Sequence, residues 1–486
     1  MVLRLDTLIT WLKRYGFTVG MLILALGIGF FSSKNAVIPV LMFGGMVYFL
    51  IMFTRPLWAY MFMILVLCSC FGFISDHSFS VAGVFKLRDF CLFSLFPFIL
   101  CNVVTDRQSV KHLKASFNKY VLLLLIFIAF VMCYTTFRYN VSLLSTIRLA
   151  RKYFFYSIYF VFLYYIQTAY DLKQFLKWLY MFAIIAAILY LTQFTVGLQN
   201  KILPNLLMVY QNLAGLAVPR IYFKGAMSLL FLCFSLSFWS GITAEEKKKR
   251  NLFILLSILF GIPCFLGFSR ARWFMQFMII FVPFLFTNNN QRVHVLKLSV
   301  IFGSILFFVV LLLHNTTGFN ILSLLSKIKL QMLSAYFDLI NQTGTFAFRL
   351  EDSAFRIELF LENRLMGIGF LHHLAAEESY KAAFVRDFLV ETIDSGLLSL
   401  LTTTGICGLI VFNILVLSFF KHCIKLLKSI QTPLFRGLIL GCLGYCAGGY
   451  MGFITLPFFT TIYEIPFIAI AFAIVAKISQ FQTQEE

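Results

Sequence analysis

Residues 120–137 read YVLLLLIFIAFVMCYTTF, bounded by Lys119 and Arg138. At 1.5 Å per residue, an uncharged run of this length crosses a hydrocarbon core of roughly 30 Å as a helix. Helix is the form it must take, because lipid offers the backbone no hydrogen-bond partner. Working outward, similar runs recur, centred near residues 24, 45, 66, 97, 161, 187, 233, 260, 280, 306, 408, 444 and 469. A chain that is 61% hydrophobic and 12% charged, with mean hydropathy +0.90, is excluded from the soluble globular class. The pattern predicts an all-α polytopic integral membrane protein of about fourteen transmembrane helices. The first run follows Arg4, Lys13 and Arg14, and no small-residue cleavage site comes after it. It reads as an anchor rather than a signal peptide.

Short segments dense in Lys and Arg belong on the cytoplasmic side. Arg107 to Lys119, Lys247 to Arg250 and Lys421 to Arg436 set the orientation, with both termini cytoplasmic. Residues 1–486 then form one integral membrane domain with a single large extracytoplasmic loop, 315–395. The stretch His314 to Gly396 holds seven of the 40 basic and ten of the 20 acidic residues, so it is where a membrane enzyme would keep polar chemistry. Helices are expected inside it: an interfacial one over Ile321 to Ile340, a second over Phe346 to Arg364, a break at Gly367-Ile368-Gly369, and a third over Tyr380 to Gly396.

The predicted outer face is too basic for that orientation rule. Arg138, Arg148, Arg151 and Lys152, then Arg220 and Lys224, then Arg270 and Arg272 all sit at span mouths. Each alone is explained by a side chain snorkelling to lipid phosphate. Their recurrence on one face points to a shared anionic ligand, for which guanidinium is a fixed fork of donors at any working pH. Nucleic acid is a poor candidate, because the net +20 is scattered over both faces with no stripe interleaved with aromatic residues. The Cys residues lie in or beside the apolar runs and read as small apolar side chains. Gly444, Gly448 and Gly452, four apart, predict a close helix–helix contact.

Several motifs fall in a fixed order. Lys86 to Asp89 opens the fourth run, and Ser269-Arg270 stands at a span mouth. Arg356 precedes Gly367 by eleven positions, and Gly367-Ile368-Gly369 forms a turn. Asp394-Ser395 then stands before a span carrying Gly405-Ile406-Cys407-Gly408. In this order the chain resembles the O-antigen polymerase and O-antigen ligase superfamily of lipid-linked glycan enzymes. The ligases carry a His, a small polar residue, nine further residues and two glycines. Here the small polar residue is Ser395, the glycines are Gly405 and Gly408, and Asp394 stands at the His position. Without that imidazole the resemblance favours a polymerase.

The resemblance implies a glycosyltransferase that moves a glycan from undecaprenyl pyrophosphate to the terminal hydroxyl of an incoming lipid-linked repeat unit. The product is a surface polysaccharide: the O-antigen of lipopolysaccharide, capsule or exopolysaccharide. The setting is the outer face of the bacterial cytoplasmic (inner) membrane. The leaving group is already activated, so no cofactor is expected; a chain-length regulator and a flippase are the expected protein partners. Arg356, Arg220 and Arg270, followed by Arg349 and Arg148, are expected to meet the pyrophosphate. Asp394 is expected to act as base or to orient the acceptor, with Arg356 beside it in the reaction.

Plainer readings stand beside these. Asp352 and Arg356 are spaced for an ordinary helical ion pair, and Asp394 for a helix cap. Asp387, Glu391 and Asp394 share a face that suits a divalent cation, but no Asp-x-Asp pair occurs, so no metal is expected. His372-His373 reads as loop surface. Two other activities compete: a ligase-type transferase, and a flippase for the same lipid-linked oligosaccharide. The flippase would carry its charges near the bilayer midplane, where these runs are almost free of them.

Overall fold

The computed structural model describes Tyr48, Ile51, Thr54 and residues 56–73, 80–81, 85–105, 113–196, 202–203, 207–213, 216–223, 225–267, 269–317, 353–354, 356–371 and 395–485. The described chain is nearly all helical. In order it runs α1 Pro56–Leu67, α2 Leu87–Thr105, α3 Asn118–Tyr139, α4 Leu143–Phe154, α5 Ile158–Tyr165 and α6 Ala169–Val196. It continues with α7 Ala226–Thr243, α8 Lys247–Leu266, α9 Arg270–Phe284, α10 Asn289–Thr317, α11 Gly396–Ser429, α12 Pro433–Gly452 and α13 Ile465–Glu485. Each expected centre from residue 66 onward falls within one of these helices. The run near residue 24, and most of that near 45, lie outside the described residues. Among the described residues, 7 helices are long and apolar enough to cross a membrane: α3, α6, α7, α8, α11, α12 and α13.

Why these runs become a bundle is visible in α3 and α7. In α3, Val121, Leu124, Ile128, Val131 and Thr135 are buried, while Leu122, Leu123, Ile126, Phe130 and Phe137 are exposed. Both faces are apolar because one packs on protein and the other is suited to lipid. In α7 every residue from Ala226 to Thr243 is buried, which makes it the central helix. Its hydroxyls find carbonyls without water: Ser235 Oγ donates to Gly441 O at 2.6 Å and Ser237 Oγ to Cys233 O at 2.7 Å. Trp239 Nε1 donates to Ile279 O of α9 at 3.0 Å. Each of these bonds removes a polar group that would otherwise be stranded in the core.

Helix α12 lies against both α7 and α9, and its glycines set those distances. A Cβ at Gly441 would stand 2.8 Å from Leu236 Cα of α7; one at Gly444 or Gly448 would stand 2.4 Å from Ile279 O or 2.8 Å from Met275 O of α9. The expected close face therefore exists for Gly444 and Gly448, with α9 as the partner. Gly452 would meet only Leu456, at an ordinary 3.5 Å. Gly441→Val is expected to cost about 2 kcal/mol through overpacking, read as a lower midpoint in detergent unfolding.

Two departures from a purely helical reading occur. Short antiparallel hairpins form from β1 Ser80–Val81 with β2 Phe85–Lys86, and from β3 Leu207–Leu213 with β4 Leu216–Tyr222. The second hairpin leads into α7, and in it Arg220 pairs with Val209 across the strands.

Helix α11 is broken at Gly405, whose φ of 65° and ψ of −164° leave the helical region. In an unbroken helix the amides of Ile406 and Cys407 would donate to the carbonyls of Thr402 and Thr403. Here Ile406 N donates to Arg364 O at 2.9 Å and Cys407 N to Leu365 O at 3.1 Å. The two carbonyls are taken by Ile368 N at 2.9 Å and Gly369 N at 3.0 Å. The turn 363–369 thus stitches the break with four backbone bonds, satisfying groups that an apolar setting would not tolerate unpaired. The helix break expected at Gly367-Ile368-Gly369 is present, with φ of 66° at Gly367 and 75° at Gly369. Helical residues 356–362 precede it, within the stretch expected to be helical. The remaining loop expectations, over Ile321 to Ile340 and Tyr380 to Gly396, lie outside the described residues apart from Ser395 and Gly396, where α11 begins.

Candidate functional site

The segment 453–464 is met by the start of α2, the start of α9, the start of α11 and the end of α12, which together form one polar end of the bundle. That segment is held in place by backbone turns and by bonds to its neighbours. Leu397 N donates to Phe453 O at 3.1 Å, and Tyr156 Oη donates to Phe459 O at 3.2 Å. The turn 363–369 joins the same end, where Phe370 N donates to Thr135 Oγ1 at 3.0 Å and the Phe370 ring lies 5.6 Å from that of Tyr153.

Helix α2 enters this end with Arg88 and Asp89 in its first turn, where an acidic side chain complements the helix dipole. Asp89 is 1% exposed; its Oδ2 accepts the Lys86 amide at 2.8 Å and Arg151 Nη1 at 3.2 Å. Oδ1 of Asp89 is buried and accepts no hydrogen bond among the described residues. Arg151 comes from α4, an amphipathic helix capped by Ser142, whose Oγ accepts from Ser145 N. The buried side of α4 is Thr146, Ala150 and Tyr153, so Arg151 turns inward beside Ala150 while Arg148 is exposed. Arg88 is also buried, and its guanidinium carbon sits 4.9 Å from the centroid of the Tyr463 ring, a cation–π distance.

Next to Tyr463 stands Glu464, which ends the connecting segment just before α13. The residue is half-buried, but its Oε2 is shut off from solvent and accepts no hydrogen bond among the described residues. Burial pushes its carboxyl up to about 7, against the attraction of Arg272 and a contact with its own backbone amide, both of which favour the charged form. Arg272 projects from the first turns of α9. The α8–α9 turn behind it is clamped by Trp273, which stacks on Phe265 at 5.0 Å and donates Nε1 to the Phe265 carbonyl at 2.8 Å. The Arg272 guanidinium lies against this turn, with Nη1 3.4 Å from where a Cβ on Gly267 would stand.

The residues singled out in the sequence divide into three groups. Arg356 is 2% exposed and shares an inward stripe with Leu359 on the helical stretch 356–362 and with Asn363, which begins the turn. Arg148 is exposed. Arg220 and Arg270 have described backbones, on β4 and at the first position of α9, and their side chains lie outside the described residues. Asp394, Arg349, Asp352, Asp387, Glu391 and His372-His373 also lie outside. Glu464, Tyr463 and the partnership of Asp89 with Arg151 were not singled out. A signal for Glu464 existed, since it is the only acidic residue between Ser395 and Gln484.

Chemically, this end gathers guanidinium groups that suit phosphate oxygens, and a carboxyl whose burial brings it close to neutral pH. Among the described residues no three His, Cys, Asp or Glu side chains gather as a metal site would require. No protein-family model matches the chain, and no curated protein matches it.

Proposed function

We propose that this protein is a membrane glycosyltransferase that polymerises undecaprenyl-pyrophosphate-linked repeat units into a surface polysaccharide. In this reading the chain crosses the bacterial cytoplasmic membrane about fourteen times. Both termini are cytoplasmic, and the segment 315–395 is outside. The observation that carries it is the burial of Arg88 and Arg356, with Arg151 and Arg272 half-buried, in an apolar bundle that also holds the carboxyls of Asp89 and Glu464. A lipid-borne pyrophosphate presents its charge at that depth, just beyond the apolar helices. Guanidinium groups held there by packing lose little freedom on meeting it. Donor and acceptor are both lipid-linked glycans. Arg356 binds the leaving pyrophosphate with Arg220, Arg270, Arg349 and Arg148 around it, and Asp394 orients the acceptor.

The test is the glycan profile of a deletion strain complemented with wild type, Arg356→Ala or Asp394→Ala, with the lipid-linked pool extracted in parallel. Wild type is expected to restore a ladder. Each variant is expected to leave single repeat units on their usual acceptor, with polymerisation down about a hundredfold, as expected for about 3 kcal/mol of lost charge stabilisation. Long polymer stranded on its carrier would identify a ligase instead, and single units trapped on the cytoplasmic side a flippase.

A further inference from the structure

Glu464 is held differently from the paired carboxylate Asp89. Its Oε2 is enclosed and accepts no hydrogen bond among the described residues, as is also true of Asp89 Oδ1; but the other oxygen of Asp89 is paired with Arg151, whereas Glu464 makes no ion pair among the described residues. The charged and titratable groups facing it come from separate elements: Arg272 from α9 and Tyr445 from α12. Beyond its neighbour Tyr463 stands Arg88 of α2. The carboxyl therefore feels the Arg272 guanidinium, and its chain neighbour Tyr463 carries that of Arg88, at the end of the bundle where an anionic leaving group would dock.

We propose, resting on the polymerase reading above, that Glu464 is a catalytic residue that takes the proton from the attacking hydroxyl of the acceptor sugar. The hydroxyl oxygen bonds to the donor's anomeric carbon as the bond from that carbon to the pyrophosphate oxygen breaks. The electron pair stays on the departing pyrophosphate, whose charge the arginines meet, and the hydroxyl proton passes to the Glu464 carboxylate. Water takes that proton once product leaves, so no oxidant or reductant enters. A base near neutral is suited to the task, because a sizeable fraction is ionised at working pH and it still takes up a proton readily.

The experiment uses the full chain in proteoliposomes, with lipid-linked repeat units extracted from the deletion strain as probe and polymer length read on gels across pH. For wild type, kcat/KM should rise with pH through a limb near 7, where the Glu464 carboxyl ionises. Glu464→Gln should lower kcat/KM by about 10²–10⁴-fold and abolish that limb. Glu464→Asp, which keeps the carboxylate one methylene short, should retain a limb at reduced rate. Arg272→Gln removes a cation that favours the charged carboxyl, so the limb should move to higher pH.

Folding is followed separately by Tm. A carboxyl raised in the folded state stabilises the fold below its ordinary range, and that stabilisation is lost as pH rises through about 7. Glu464→Gln should therefore match wild type in acid and melt higher at alkaline pH. A Glu464→Gln protein that polymerises within about threefold of wild type, with the limb intact, overturns the assignment of Glu464 alone. Wild-type proteoliposomes that leave the repeat units unpolymerised at every pH overturn the polymerase reading itself.

Discussion

Gly405→Ala is expected to cost about 3 kcal/mol or more and to leave little folded protein in detergent, whereas Gly303→Ala is expected to be nearly neutral. At Gly405 the φ of 65° and ψ of −164° fall in a region open essentially to glycine alone. An added Cβ would also stand 2.3 Å from Leu365 O and 2.6 Å from Met366 N, both backbone atoms that cannot rotate away. Relief requires withdrawing the 363–369 turn, and withdrawal strands the amides of Ile406 and Cys407 and the carbonyls of Thr402 and Thr403 together. Gly367→Ala should behave alike, since its Cβ would meet Thr402 O at 2.5 Å from the other side of the same seam. At Gly303 a Cβ meets nothing within 4 Å. Thermal melting of the purified variants reads the difference. If Gly405→Ala and Gly303→Ala melt alike, the stitched break does not govern stability. The seam also matters beyond stability, because the turn leads directly from the helical stretch that carries Arg356.

What the sequence discloses here follows from how far each signal reaches along the chain. An apolar run is a local property, so the helices from residue 66 onward fall where hydropathy places them. Glycine pairs are local too: Gly367 and Gly369 read as a break and adopt left-handed φ. The break at Gly405 is different. Glycines such as Gly405 and Gly408 are ordinary in a span, and only a distant turn supplying four backbone partners makes one of them a break. The hairpin Leu207–Tyr222 escapes for a related reason, since a short apolar stretch has no period that separates strand from helix end.

Among the arginines, sequence marks the face but not the depth. Arg148 and Arg151 look equivalent, and their difference lies in which side of α4 meets Thr136 and Phe370 through Thr146 and Tyr153. Glu464 is legible only as an oddity of composition. Its partner Arg272 is remote in the chain, and only the fold brings α9 to the connection before α13.

Removing Arg151 is expected to be worse than neutralising its partner. Arg151→Met leaves Asp89, 1% exposed, as a charge with its principal cation gone, and Oδ1 already lacks a hydrogen bond among the described residues. Breaking a buried pair from one side costs about 3–5 kcal/mol, because the survivor's desolvation is no longer offset. Asp89→Asn is milder by expectation. The amide oxygen still accepts from Lys86 N, and the Arg151 side chain, 14% exposed, has a path to water. The double variant Arg151→Met/Asp89→Asn should recover most of the loss, because two neutral groups of similar shape carry no unpaired charge into the bundle. A double-mutant cycle on unfolding in detergent measures this as a coupling of about 1.5 kcal/mol or more. Single costs that are equal and simply add would place the pair in an environment wet enough to screen it. The polar end would then be an open vestibule, and the inward-turned arginines would meet an anionic headgroup already hydrated rather than stripped of water.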